Sequence, residues 1–524
     1  MDYSAITSSV DQFSQQALDY LSRRDNLNKI GKITAISLAT YVTVAKLYEG
    51  FMGPLSHVPG PFFTRFFNIP NLILDRPAGT QIFILNNDVS FIFLKKLHEK
   101  YGDMVRLGPA RLAVSDKDIM KQVLVTEDLK KGPVYDIFSK NRDTSLFSTR
   151  DPIWHKQRRR IVSPAFSIKY LNSMEPFMTS VTHSLIKKVD EEIQADHDAE
   201  GYGAVDIWSL MQRLALDVIG ETAFGQTFNM IEDPTHFVPE AISKELKASS
   251  ISALYPWLSK LLIKKGDLNN PKLQEFLTNV INDRVKSTSQ KRNDILQFLI
   301  DQQEAQDQKD RLTSEAIMSE TVLFLVAGSE TTSNTIGFIF HELLKAPAKL
   351  QKLVDEIDTV PLEEGSQVFS HEQLKHLPYL NAVINETLRL DAVAASGVER
   401  VTEKPVVLGN RLALPANVVV ITNFYHAQTN EKYWPNPFKF DPDRWIEGKE
   451  ENDLDAFFPF SAGSRNCIGK NFALQEMRIT VATFLKHFSI AAIPEEMKQA
   501  EERRHFITLQ VARNSFKIKA KRRV

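Results

Sequence analysis

The sequence predicts a mainly α fold with a minor β part, arranged as a single large domain behind an N-terminal apolar segment. Three observations carry this reading. Stretches with apolar residues at helical spacing dominate 179–195, 205–224, 271–300 and 314–344. Strand-like runs are short: MVRLG at 104–108, RLAVS at 111–115, VVVITN at 418–423 and ITLQVA at 507–512. No long low-complexity linker and no repeat divides the 524 residues, of which 43% are hydrophobic, enough for a sizeable core.

Charge and cysteine content narrow the function. Lys and Arg total 64 against 65 Asp and Glu, a net charge of −1. That gives no basic excess of the kind nucleic-acid binding calls for, so no nucleic-acid partner is expected. The one cysteine, Cys467, excludes an intramolecular disulfide. The catalytic part therefore needs no oxidising compartment, and a cytosolic face is the natural reading.

Taken in order, residues 1–32 form a polar lead and 33–52 a membrane anchor. ITAISLATYVTVAKLY, from Ile33 to Tyr48, is apolar or small, and the run extends to Met52. A spanning helix needs about 20 such residues, and Lys46 can snorkel to the interface. Residues 53–61 end in HVPGP, a stiff proline segment, and 62–524 form the catalytic domain. Arg23, Arg24, Lys29 and Lys32 precede the apolar run, so the positive-inside rule places that end in the cytosol.

The helix over 314–344 begins at Thr313, a suitable N-cap, and Pro347 helps to stop it. Val322 to Val326 is apolar on all sides, so its centre is buried. Directly after comes AGSETT, Ala327 to Thr332. Gly328 costs about 1 kcal/mol in a helix interior, and Glu330, Thr331 and Thr332 need polar partners there. A local rule broken inside a buried helix marks function.

The decapeptide FSAGSRNCIG, Phe460 to Gly469, precedes a further helical pattern, so Cys467 sits at or just before a helix N-terminus. There the dipole and free N–H groups stabilise negative sulfur. Gly463 can supply a turn closed to other residues, and Phe460 can shield the sulfur from water.

Phe460, Gly463, Arg465, Cys467 and Gly469 together resemble the haem-binding loop of the cytochrome P-450 family, F-x-x-G-x-R-x-C-x-G. The resemblance implies haem b with its iron held axially by the Cys467 thiolate, which favours O–O cleavage. It places Arg465 on a haem propionate and lets Gly469 approach the macrocycle. AGSETT is similar to the family's A-G-x-[DE]-T-[TS] signature, which implies that Thr331 hydrogen-bonds dioxygen beside the haem while Glu330 helps relay protons. Trp154 and Arg158 in PIWHKQRRR are similar to W-x-x-x-R, and Arg400 in GVERV resembles another propionate arginine. Glu386 and Arg389 in NETLRL resemble E-x-x-R, and FDPDRW supplies the partner Arg444, which implies a structural network.

What the resemblance implies is a membrane-anchored haem-thiolate monooxygenase. It would insert one atom of dioxygen into a lipophilic small molecule, with electrons from a separate NADPH-dependent reductase at the membrane. The endoplasmic reticulum is the implied location, with the catalytic domain facing the cytosol. That orientation opposes the charge rule above, and a helix lying in the interface would remove the conflict. A basic face of His155, Lys156, Arg159, Arg160, Lys470 and Arg478 would suit an acidic electron donor; a solvated helix surface is the alternative. Two other functions stay open: a haem-thiolate isomerase or dehydratase, and a non-enzymatic haem-binding protein. By resemblance the pocket draws on 134–149, 228–268, the run before Gly328, 393–397 and 506–511. One departure stands out: the family places a proline soon after Arg389 and Leu390, where this chain has DAVAASGVER.

Overall fold

The structure is a computed structural model describing residues 12, 14–16, 24–68, 90–139, 144–254, 263–264, 268, 270–286, 294–447 and 449–523. Much of the expected lead, and parts of the expected pocket stretches 134–149 and 228–268, lie outside the described residues.

Among these residues the longer helices are α1 (Arg24–Met52), α2 (Ser90–Tyr101), α3 (Pro152–Val162), α4 (Ile168–Ala195), α5 (Ile207–Ile219), α6 (Phe237–Leu254), α7 (Pro271–Lys286), α8 (Ser314–Lys345), α9 (Pro347–Asp358), α10 (Pro378–Leu390) and α11 (Lys470–His487). The strands used below are β1 (Met104–Gly108), β2 (Arg111–Val114), β3 (Lys130–Lys131), β4 (Val398–Val401), β5 (Val419–Thr422), β6 (Arg503–Phe506) and β7 (Thr508–Val511).

Helix α8 runs through the middle of the molecule. It starts where the Thr313 side chain accepts the Ala316 N–H, and most of its residues are buried. It lies close against α5 because two glycines leave room: a Cβ on Gly337 would come within 2.5 Å of the Trp208 ring, and one on Gly328 within 2.5 Å of Ile219 Cδ1. Helices α4, α10 and α11 complete the same apolar core. Beside it, five strands form a sheet in the order β1-β2-β5-β4-β3, with β2 and β5 parallel and the other pairs antiparallel. β6 and β7 make a separate antiparallel hairpin.

α1 is exposed along most of its length, and Asn28–Met52 is long and apolar enough to cross a membrane. Lys46, inside it, pairs with Glu49 at 2.5 Å. The proline segment that follows is fastened by Arg106, whose Nη1 donates to the carbonyls of Leu55, Ser56 and Val58 at 3.1, 3.3 and 2.6 Å.

Three helix limits differ from expectation. The helix expected over 179–195 starts at Ile168, capped by the Ser167 side chain, and carries Pro176 in its interior. Val205 and Asp206 belong to a strand, Gly203–Asp206, because Val205 pairs with Ile518; α5 begins after it, capped by Asp206, and a π-helical turn spans Gly220–Phe224. The pattern over 271–300 is two helices, α7 and Ile295–Asp301, the second capped by Asp294; residues 287–293 lie outside the described residues.

Candidate active site

The cysteine loop is closed by the Cys467 N–H donating to Phe460 O at 2.9 Å and the Asn466 N–H to Gly463 O at 3.2 Å. Gly463 has φ +75°, and a Cβ there would lie 1.9 Å from Leu124 O, so glycine is required by both backbone and space. Gly469 is different: it caps α11 with ordinary backbone angles, and the nearest atom to a Cβ is the Cys467 sulfur at 4.0 Å. α11 therefore starts three residues after the cysteine.

The Cys467 side chain is open by surface area, yet desolvation is the largest influence on its thiol and pushes its pKa up. The Gly469 N–H, Arg159 and Lys470 act in the opposite direction, favouring thiolate. Arg159 also donates to Asn466 O at 2.7 Å and Asn466 Oδ1 at 2.5 Å, which bolts α3 to the loop.

Cationic side chains gather around this loop. β3 pairs Lys131 with Arg400 on β4. Burial and the charges of Arg400, Arg465 and Arg159 bring Lys131 down to about 7, with Glu320 opposing. His155 is pushed down to about 3 by burial and then by Lys131, Arg465, Arg159 and Arg400. It is therefore neutral at pH 7. Arg158 lies under the Trp154 ring, 4.5 Å from its centre, and its Nε is 3.6 Å from Glu320 Oε1. Arg465 holds Asp128 through Nη1. Trp154, Arg158, Arg400 and Arg465 thus meet in one region. So many buried like charges repel one another, and a dianion would relieve that repulsion.

On α8, Leu323, Val326, Ala327, Gly328 and Thr331 are less buried than their neighbours, and Leu323, Ala327 and Thr331 among them recur every four residues. These three form one stripe down the helix. Thr331 Oγ1 donates to Ala327 O at 2.7 Å. The missing side chain of Gly328, beside Ala327, leaves room for Ile219 of α5. Glu330 is buried, and burial raises it to about 7, with Arg504 pulling the other way. No hydrogen bond joins Glu330 to Thr331 among the described residues.

Glu386, Arg389 and Arg444 form one buried network. Arg389 Nε and Nη2 fork onto the Glu386 carboxylate, each at 2.8 Å, and Arg444 Nε adds a bond of 3.0 Å. Trp445 Nε1 donates to Glu386 Oε2 at 3.0 Å, a partner the arginine spacing did not indicate.

Sequence reasoning missed Lys131 and Glu320, whose signals were a charge in a short strand and an acid in an apolar helix run. The expected basic face is also reduced. His155 is buried, Arg159 serves the loop and Arg478 bonds Asn381 at 2.8 Å, while Lys156, Lys470 and Arg160, which pairs with Asp310, stay exposed.

The residues fit a haem: a lone thiol beside a helix start, cations suited to two carboxylates, and an apolar helix stripe with one hydroxyl. Fold and site define a haem-thiolate oxidoreductase. The family model described as Cytochrome P450 matches residues 78–520. The chain is 32% identical to Cytochrome P450 monooxygenase LUC2 of a Fusarium species, over 95% of this chain and 96% of that one. It is 32% identical to Cytochrome P450 monooxygenase acrD of Aspergillus aculeatus, over 87% and 90%, and 30% identical to human Cytochrome P450 3A7, over 80% and 86%. The chain belongs to the cytochrome P450 family. It is a haem-thiolate monooxygenase, with cysteine as the ligand of the haem iron.

Proposed function

We propose that the chain hydroxylates a lipophilic small molecule with Cys467 as the iron ligand, Thr331 and Glu330 handling protons, and Trp154, Arg158, Arg400 and Arg465 holding the propionates. Haem, when bound, supplies the dioxygen chemistry. The observation that carries the reading is the accessible Cys467 thiol, surrounded by enough protein that desolvation dominates it, with the Gly469 N–H and Arg159 beside it. Around it the protein does three things. The cationic cluster offsets negative carboxylates. The α8 stripe presents apolar surface with Thr331 Oγ1 as its polar atom, bonded to Ala327 O and with lone pairs left to accept. Glu330, raised to about 7 by burial, is about half protonated at neutral pH and can both take up and release a proton there.

Electrons come from a separate NADPH-dependent reductase, which docks through a surface including Lys156 and Lys470. α1 anchors the enzyme in the endoplasmic reticulum membrane, and the catalytic domain faces the cytosol. The dangling apolar surface of α1 supports the anchoring. The test is the carbon monoxide difference spectrum of the reduced protein. The wild type shows the thiolate-type band and Cys467→Ser loses it; a variant that kept the band would remove Cys467 from its role.

A further inference from the structure

Asp391 follows Arg389 and Leu390 at the end of α10, where its N–H donates to Thr387 O at 2.8 Å. The residue is 6% exposed. Oδ1 accepts from Arg503 Nη2 at 3.2 Å, and Oδ2 has no hydrogen-bond partner among the described residues. Arg503 opens β6, over a hundred residues further along the chain. Its guanidinium lies over the Phe338 ring of α8, 4.5 Å from the centre, and the same Nη2 is 3.4 Å from His341 Nδ1. Glu342 Oε1 accepts at 2.9 Å from His341 and at 3.2 Å from Lys345, which reaches Glu501 at 3.3 Å. Charges from three elements therefore converge behind the 391–397 linker, and none of them serves the site described above.

Stability does not account for such a cluster. A buried ion pair recovers little more than its own desolvation, and apolar side chains of equal volume would serve as well. Geometry accounts for it better. Between Asp391 and Ser396 the linker carries Ala392, Ala394 and Ala395, which have no bulk with which to define a path. The hairpin has the opposite difficulty. Ile507, at its tip, sits at φ +67°, a left-handed conformation that a β-branched residue adopts only when its surroundings over-determine it. A two-stranded hairpin is marginal alone. Several contacts hold this one, among them Ser396 Oγ to His505 Nε2 at 3.5 Å. Leu509 N–H donates to Val393 O at 2.9 Å while its carbonyl accepts from Asn334 Nδ2 of α8 at 3.2 Å. Arg503 anchors the other strand to Asp391.

We propose that Asp391 and Arg503 are positioning residues for substrate specificity: their ion pair locks the 391–397 linker to the β6–β7 hairpin, so that the two segments make one wall of the substrate pocket. This rests on the monooxygenase reading above. The departure DAVAASGVER thereby gains a function. An acid stands where the linker needs an anchor, and the hairpin supplies its cation.

The test uses ligands that coordinate haem iron directly and differ in bulk: imidazole, 4-phenylimidazole and clotrimazole. Spectral titration of the holoenzyme gives their dissociation constants. In Asp391→Asn and Arg503→Lys, imidazole binds as in the wild type, while clotrimazole loses about tenfold relative to imidazole, because a loosened wall makes fewer contacts with a bulky ligand. Asp294→Asn breaks another buried pair, Arg284–Asp294 at 2.6 Å, away from the linker and hairpin, and leaves the ratio unchanged. It separates positioning from general loss of stability. Should Asp391→Asn fail to take up haem, Arg503→Lys, which keeps the charge but loses the fork, carries the same comparison. Ratios within about twofold of wild type in these variants overturn the inference. A wild type without the thiolate-type carbon monoxide band overturns the underlying reading instead.

Discussion

Arg389 grips Glu386 through two parallel hydrogen bonds of 2.8 Å, and neither side chain is exposed. The same carboxylate also takes the Asp441 N–H at 2.9 Å, Arg444 and Trp445, so both oxygens are shared among partners from two segments. Removing one partner strands the other charge without water. Glu386→Gln is therefore expected to cost about 3–5 kcal/mol. Denaturant unfolding gives the loss, and haem content per chain shows whether the cysteine loop still forms. A loss below about 1 kcal/mol would mean that the network is redundant.

The two glycines flanking Cys467 should respond differently. Gly463→Ala must adopt φ +75° and place a methyl 1.9 Å from Leu124 O, so it destabilises by more than about 1 kcal/mol and lowers haem retention. Gly469→Ala meets only the sulfur at 4.0 Å and folds normally. Thermal unfolding with and without haem distinguishes the two; equal effects would contradict the geometry.

Gly328 offers a rescue experiment. A Cβ there comes within 2.5 Å of Ile219 Cδ1, the movable end of a side chain. Gly328→Ala is expected to cost about 1–3 kcal/mol, and Ile219→Val in the same chain should restore part of it. Additive losses in the double variant would show that the helices accommodate the methyl by another route.

Glu330 predicts a pH dependence. Burial lifts its pKa from the usual 4.5 to about 7, so the folded state holds this proton more tightly than the unfolded chain. The stability it contributes is present in full below about pH 4.5 and is lost as pH rises through about 7. Glu330→Gln should flatten that part of the stability profile relative to wild type. Glu320, also raised to about 7 by burial, keeps its own slope of the same sign. In turnover, Glu330→Gln should cost about a hundredfold or more if it relays protons.

Thr331→Ala should keep the thiolate-type spectrum and the fold, because among the described residues the Thr331 side chain bonds only the Ala327 carbonyl of its own helix. Its expected defect is uncoupling: NADPH is consumed with peroxide in place of product. Unchanged coupling would place the proton path elsewhere.

The difference between what could be read early and what could not follows contact range. Thr313 as a cap, Cys467 before a helix and Gly463 in a forced turn are consequences of neighbours a few residues away, and spacing displays them. Val205 looked helical until Ile518, from the far end of the chain, paired with it in a strand. Pro176 hid the first turns of α4, although a long packed helix tolerates it. Lys131 acquired its unusual titration only when β4 laid Arg400 beside it.

The sequence by itself determined the fold class, the family and the identity of the sulfur ligand, because a thiol, glycines at forced positions and helix signals are local and chemically specific. Tertiary structure decided which charges are buried and with whom. Arg159 turned to the cysteine loop, Gly328 admits Ile219, and Asp391 pairs with Arg503. Those outcomes depend on desolvation and on distances between segments far apart in the chain, and neither quantity is written in residue spacing.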